Sequence, residues 1–240
     1  MHLSKRATLM LVLSLAAVLV GLLWHSAVYA RTPLQQGSST ADLIPLYTIQ
    51  GDAAASPYYQ EWIDTYGVVT AVTNDGYYLQ DPVGDGNPDT SDGIFVYTQR
   101  PPTVTAGECV LLQRAFVDEY YEKTELSRTK APVESDLCAP TALQPVPISA
   151  ARLATEPAQL FEEVEGMLVQ IDDLNGMAQG GIKRFADGAA EIAFLPTEWV
   201  PYVAAGRVFQ HDAKAVSALM YLGSELGAEL PEVNRGDQIL

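Results

Sequence analysis

Four oxygen-bearing side chains in one short segment have the composition of a calcium site. Asp85, Asn87, Asp89 and Asp92 lie within DPVGDGNPDTSDG, the first three at alternate positions. Alternating oxygen ligands are typical of calcium loops, but threonine and valine replace the glycine and the bidentate glutamate of an EF-hand. The same residues also suit a plain turn, because their side chains accept hydrogen bonds from nearby backbone amides. The sequence favours the turn and leaves Ca²⁺ as a candidate cofactor.

Side chains that could form a catalytic site are scarce. Of three histidines, only His211 lies beyond the N-terminal segment that we expect to be removed. One histidine excludes an HExxH zinc site and any mechanism that needs two. The chain has no G-x-S-x-G nucleophile motif, and no spacing of its acids favours a two-carboxylate glycosidase. The sequence therefore predicts no catalytic residue within these 240 residues.

The charge balance narrows the classes of partner. The chain carries 30 acidic and 14 basic side chains, a formal net charge of −16. Duplex nucleic acid is bound through many Lys and Arg contacts to phosphates, so a broad surface of that kind is excluded, although a local basic strip is not. With 48% hydrophobic and only 18% charged residues, the chain can bury a core.

Residues 1–30 have the pattern of a secretory signal peptide. Lys5 and Arg6 precede an apolar run over 7–24, and the segment ends in small residues at Ala30. A retained membrane anchor is the alternative, because 18 apolar residues reach the lower limit of a span. Both place the chain outside the cytoplasm, secreted or in the cell envelope, with 31–42 as a linker. In that oxidising setting, we expect Cys109 and Cys138 to form a disulfide.

Beyond residue 42, the pattern is mainly that of short strands. In the first half, strands are predicted over 43–51, 66–73, 77–80, 93–98, 109–117 and 120–126. The turn signal Asn74-Asp75-Gly76 joins the second and third of these into a hairpin. After a proline-rich boundary at 140–147, we predict a helix over 148–163 broken near Pro157, strands over 164–171, 182–185 and 191–195, and a short helix over 213–226. Such strands suit small Greek-key barrels, without selecting one type.

The segment 67–98, GVVTAVTNDGYYLQDPVGDGNPDTSDGIFVYT, resembles the OB-like N-terminal module of bacterial secreted nucleases. In those proteins the module precedes a catalytic domain of the endonuclease/exonuclease/phosphatase superfamily. EYYEKTEL at 119–126 continues the resemblance, and FEEVEGMLVQI at 161–171 is similar to the start of a second OB-like unit. The resemblance implies an all-β fold of tandem OB-fold-like small Greek-key barrels with a few short helices. The first domain would cover 43–144 and the second 145–240, the latter either complete or lacking strands.

This chain departs from the nuclease pattern in its catalytic part, since no GD-x-N segment followed by an SDH segment is present. The resemblance therefore implies a non-catalytic region that binds single-stranded DNA or RNA for a nuclease domain, and leaves open whether the chain is an enzyme. OB barrels bind single strands by aromatic stacking and a basic groove. The candidate residues are Tyr77, Tyr78, Tyr97, Arg100, Arg114, Lys123, Arg128 and Lys130. A secreted structural or protein-interaction module is the alternative, and no stable membrane partner is expected unless the signal is retained.

Overall fold

A five-stranded β-barrel occupies the first half of the chain, within the residues that the computed structural model describes: 42–138, 143–172, 174–203 and 206–239. Its strands are β1 (Trp62–Val72), β2 (Gly76–Gln80), β3 (Gly93–Tyr97), β4 (Cys109–Tyr120) and β5 (Lys123–Ser127). They hydrogen-bond in the order β1-β2-β3-β5-β4, and β4 returns to β1 to close the barrel. β3 and β5 are parallel and the other pairs antiparallel. This Greek-key order is that of an OB fold and confirms the predicted fold class.

Successive side chains of a strand point to opposite sides, so one set of apolar side chains fills the barrel and the alternate set lies on its outer side. From β3, Ile94 and Val96 are fully buried in the core, and the fully buried Leu112 of β4 points the same way. Helix α1 (Leu46–Gln50) adds Leu46 and Ile49 to this core. The strand predicted over 43–51 is therefore wrong at α1. Pro45 and Gly51 flank that helix, and its apolar residues at i and i+3 face one side.

The predicted disulfide between Cys109 and Cys138 is confirmed, with the Cα atoms 5.8 Å apart. It joins the first residue of β4 to the segment that follows β6 (Val133–Glu134), which itself pairs with β4. The predicted signal peptide and anchor, and the linker except residue 42, lie outside the described residues. Among the described residues, no helix has the length and apolarity needed to cross a membrane.

The second half contains a half-barrel sheet and short helices. β7 (Val146–Ile148) and β8 (Val169–Ile171) pair in parallel around helices α2 (Ala150–Thr155) and α3 (Pro157–Glu163), which confirms the predicted break at Pro157. The strands of the half-barrel are β9 (Gly176–Ala178), β10 (Lys183–Arg184), β11 (Ala190–Pro196), β12 (Met220–Gly223) and β13 (Gln238–Ile239). They have the order β10-β11-β9-β13, with β12 also on β11. A 3₁₀ helix (Thr197–Tyr202) and α4 (Ala213–Val216) accompany this sheet.

Two predictions in this half are wrong in extent. The helix predicted over 213–226 ends at Val216, because the next apolar residues enter β12 and pair with β11. The strand predicted over 164–171 is reduced to Val169–Ile171, because Gly166 has a left-handed backbone (φ 70°) that a strand does not allow.

The segment 165–168 joins the two halves by backbone contact. A Cβ on Gly93 would lie 2.5 Å from the carbonyl carbon of Gly166, so the two backbone segments meet where neither residue has a side chain. Ser91 Oγ donates to the carbonyl of Glu165 at 2.6 Å, and the amide of Leu168 donates to Gln80 Oε1 at 2.9 Å. These contacts fix the segment against the ends of β2 and β3.

Candidate nucleic-acid interface

The outer side of the barrel carries aromatic rings on the paired strands β1 and β4, and on β3, which β5 separates from β4. The register pairs Trp62 of β1 with Phe116 of β4, and their ring centroids are 5.2 Å apart. Tyr120 lies four residues further along β4, on the same side as Phe116 because successive side chains alternate. Phe95 and Tyr97 of β3 lie on the same outer side, next to β5, but Phe95 is only 7% exposed and Lys123 lies over its ring. We call these five residues the aromatic face.

Cationic side chains lie over these rings. Arg114 is 5.0 Å from the centroid of Trp62, and Arg128 is 4.4 Å from that of Phe116. Lys123 lies 4.1 Å from the Phe95 centroid and 5.9 Å from that of Tyr120. A cation over an aromatic ring is attracted by the ring quadrupole. The aromatic face therefore has both a stacking surface and positive charge, the two components of single-strand binding sites.

A cavity of about 350 Å³, here called the groove, opens within the aromatic face. Its floor contains Glu125 and Ser127 of β5, each 6% exposed. Lys123 forms a 3.0 Å ion pair with Glu125 at one side. With three carboxylates and two cations, the groove is not a basic channel. Its full lining is Asp75, Phe95, Tyr97, Gln99, Asp118, Tyr120, Lys123, Glu125, Ser127 and Arg128.

A second cavity of about 310 Å³ shares Tyr97, Gln99 and Arg128 with the groove and also contacts Lys130. Gln99 and Arg128 both have left-handed backbones, with φ of 63° and 53°. This region is uncommon for residues other than glycine, and such strain clusters at functional sites. The two strained residues therefore stand where the cavities meet.

The hairpin between β4 and β5 presents another strained pair. Tyr121 and Glu122 form a two-residue turn with φ of 51° and 64°, which is the backbone of a type I′ turn. Asn-Gly is the favoured sequence for that turn. Tyr121 is 88% exposed and contacts Tyr120 edge-on, with centroids 4.7 Å apart. The turn thus projects an aromatic ring into solvent beside the groove.

Four of the predicted binding residues come together in the structure. Tyr97, Lys123 and Arg128 line the groove, and Lys130 lines the adjoining cavity. Arg114, another candidate cation, is exposed and lies over Trp62. Their role in binding stays a prediction.

The other three predicted residues do not line the groove. Tyr77 is fully buried in the barrel core, and burial raises the pKa of its hydroxyl, so a stacking role for it is wrong. Tyr78 is half-buried, with its ring 4.9 Å from Phe95. Arg100 is exposed, and its carbonyl accepts a 2.6 Å hydrogen bond from Thr98. Because side chains alternate along a strand, the adjacent Tyr77 and Tyr78 lie on opposite sides of β2, and Tyr77 is the one that points into the core.

Four aromatic residues of the site were not among the predicted ones: Trp62, Phe95, Phe116 and Tyr120. Alternation in GIFVYT contains the signal for Phe95, because Ile94 and Val96 must occupy the opposite side. The same alternation groups Phe116 with Tyr120. Trp62 was missed because β1 begins four residues before the predicted strand.

The predicted calcium loop forms side-chain-capped turns. Asp85 Oδ1 accepts a 2.9 Å hydrogen bond from the amide of Asn87, and Asn87 Oδ1 accepts one from Asp89 at 3.2 Å. Burial and then the charges of Asp81 and Asp85 raise the pKa of Asp92 to about 6. Across the described ranges, no group of three or more His, Cys, Asp or Glu side chains is arranged to hold a metal ion. Calcium binding stays a prediction, which calorimetric titration with Ca²⁺ would test.

A half-buried carboxylate, that of Glu165, lies where the segment 165–168 meets the barrel. Burial and the charge of Glu162 raise the pKa of Glu165 to about 7, and Glu119 adds to this. The backbone of Thr124 and the side chain of Gln50 hydrogen-bond to Glu165 and act in the opposite direction. Burial also raises the pKa of Glu162. The junction therefore keeps Glu165 protonated at pH values between about 5 and 6, where an ordinary glutamate is ionised.

No protein-family model and no curated protein matches this chain. Among solved structures, it is similar to an OB domain from Methanosarcina mazei determined by solution NMR. The two share 14% identity over 36% of this chain and 83% of that one, with a TM-score of 0.27. A score this low carries no functional weight, and the OB assignment rests on the strand order described above.

Proposed function

We propose that the barrel is a non-catalytic module that binds single-stranded nucleic acid on its aromatic face. The observation that supports it is the series of cation–ring contacts, Arg114 on Trp62, Arg128 on Phe116 and Lys123 on Phe95, along one outer side. Single-strand binders stack bases on exposed rings while cations follow the backbone.

The positive charge is concentrated at one end of the face. Arg114 and Arg128 flank the Trp62–Phe116 pair, and Lys130 lies beside Arg128 in the adjoining cavity. Phosphates would follow this end while bases stack on the rings. With about three phosphate contacts, the logarithmic salt dependence should have a slope of roughly −2, since each contact on a single strand contributes about −0.7. The net charge of −16 makes binding weak at physiological salt.

Replacing Trp62 with alanine tests the proposal. Its side chain is 45% exposed, and stacking of one base on an aromatic ring is worth about 1–3 kcal/mol, so we expect affinity for a labelled oligothymidylate to fall roughly 5- to 150-fold. Fluorescence anisotropy at low ionic strength measures this. The matched control is Phe209→Ala, because Phe209 is 41% exposed and also lies under a cation, Arg207, at 5.4 Å, but belongs to the second half.

Two results would contradict the proposal: no binding by the full chain at low salt, with or without Ca²⁺, or equal affinities for the two alanine variants. Tryptophan emission gives a second reading. Trp62 is exposed whereas Trp199 is 8% exposed. A base that stacks on Trp62 should therefore quench part of the tryptophan fluorescence, and the Trp62→Ala variant should show no such quenching.

The wider setting belongs to the same proposal: the chain is secreted and serves a nuclease domain. The Cys109–Cys138 disulfide is compatible with an oxidising compartment, and the sequence resemblance suggests the nuclease. Intact-mass measurement of the exported product tests secretion. Loss of residues 1–30 supports a cleaved signal, whereas full mass in the cytoplasm opposes it.

A secreted protein-interaction module is the second candidate, supported by the net charge of −16 and by the three carboxylates of the groove. Binding to a protein that persists at high salt, together with no affinity for oligonucleotides, would favour this alternative.

A further inference from the structure

The floor of the groove contains a hydroxyl that forms no hydrogen bond with any described residue. Ser127 is 6% exposed, and its Oγ is buried without a partner. Such a group destabilises the folded chain unless something binds to it, because a buried polar atom loses its hydrogen bonds to water. Ser127 lines the groove beside Glu125, so a ligand that enters the groove meets both.

The charges of the groove exclude phosphate from its floor. Asp75, Asp118 and Glu125 contribute three carboxylates, and one of the two cations, Lys123, is already paired with Glu125 at 3.0 Å. Carboxylates accept hydrogen bonds and repel anions. The ligand that fits the floor is therefore not an anion and offers N–H donors, and the uncharged bases of a bound strand meet both conditions.

The walls of the groove supply surfaces for a flat ligand. Tyr97 and Tyr120 border the opening, and rings of this kind stack with planar groups, whereas Phe95 lies buried beneath Lys123 and contributes to the base of the wall. A nucleobase has the required shape and is the part of a bound strand that would reach the groove. This step rests on the proposed function of the aromatic face.

Among the bases, guanine matches the lining best. Its N1–H and N2–H groups are adjacent donors that one carboxylate accepts together, and its O6 and N7 atoms are acceptors for an arginine. Glu125 and Asp118 provide the carboxylates, and Glu125 contacts Lys123 through Oε2, which leaves acceptor sites on the carboxylate for the base donors. Arg128 also lines the groove, and its five N–H donors allow it to contact a base acceptor and a phosphate together. We propose that the groove selects guanine within a single strand, with Glu125 accepting the base donors and Ser127 adding a hydrogen bond.

Changing the base tests this inference without altering the protein. Binding of the full chain is compared for an oligothymidylate, the same oligomer with one central guanine, and the same oligomer with hypoxanthine, which lacks the N2 amino group. We expect the guanine oligomer to bind about tenfold more tightly than the other two, the lower part of the range for a bidentate base contact. Equal affinities for the three oligomers would overturn the inference while leaving the proposed function intact.

Changing the protein gives the complementary test. Glu125→Gln should remove the preference for guanine and retain binding to oligothymidylate. The control is Glu191→Gln, because Glu191 forms an equivalent 3.0 Å cross-strand pair with Lys183 on the half-barrel and should leave the preference unchanged. Loss of preference in both variants, retention in both, or displacement of the guanine oligomer by an arginine-rich peptide with no base preference would refute the assignment. No binding of any oligomer is the distinct failure of the proposed function.

Discussion

Replacing Glu165 with glutamine should stabilise the protein in alkaline solution. Its carboxyl has an ordinary pKa of 4.5 and a folded-state pKa of about 7. Between these values, the folded chain holds a proton that the unfolded chain has released. The free energy of unfolding therefore falls as pH rises through this window. The full shift corresponds to about 3 kcal/mol, and partial exposure of the group reduces this to about 2–3 kcal/mol.

Urea unfolding at pH 5 and pH 8 measures the effect. We expect the wild-type chain to lose stability between these conditions and Glu165→Gln to lose less, so that the variant exceeds the wild type at pH 8. Asp92, with a pKa raised from 3.8 to about 6, acts in the same direction at lower pH, so the interval above pH 6 reports mainly on Glu165. The exposed Glu134→Gln is the control. A wild-type stability that is constant from pH 6 to pH 8, or that rises, would refute the reasoning.

Other variants test the backbone features of the fold. Gly166→Ala should destabilise the chain by at least about 2 kcal/mol, since its Cβ would lie 2.8 Å from the amide nitrogen of Ile94, whereas Gly180→Ala, with no described atom within 4 Å, should be neutral in thermal unfolding. Replacing Tyr121-Glu122 with Asn-Gly should raise stability by about 1 kcal/mol in the same assay, and no gain would mean that the turn is unstrained. Reducing the disulfide should lower the free energy of unfolding by about 3–4 kcal/mol, because the bond closes a loop with a sequence separation of 29 residues in the unfolded chain. An unchanged urea midpoint would contradict this.

The first barrel was predictable because its signals are local. Apolar alternation and the Asn74-Asp75-Gly76 turn indicate the hairpin of β1 and β2 directly. The second half was less predictable because its elements depend on distant partners. Residues 220–223 have helical spacing but pair with β11, and β9 consists of only three residues that pairing with β11 and β13 holds in place.

The site was predictable in its cations and less so in its rings. Lys123, Arg128 and Lys130 stand out in the sequence as a short basic cluster, and the structure brings them to adjoining cavities. The groove itself forms only because β3 and β5 pair in parallel, which places Phe95 beside Glu125. That pairing joins residues 30 positions apart, and no local pattern specifies it.

The meeting of Gly93 and Gly166 has a consequence for dividing the chain by limited proteolysis or by gene truncation. A piece ending in the proline-rich stretch 140–147 would contain all five barrel strands, yet Gln80 and Ser91 would lose their partners in 165–168. The bare backbone of Gly93 would then face water. We therefore expect the smallest well-behaved piece of the barrel to extend past Leu168, and shorter ones to self-associate through the uncovered ends of β2 and β3.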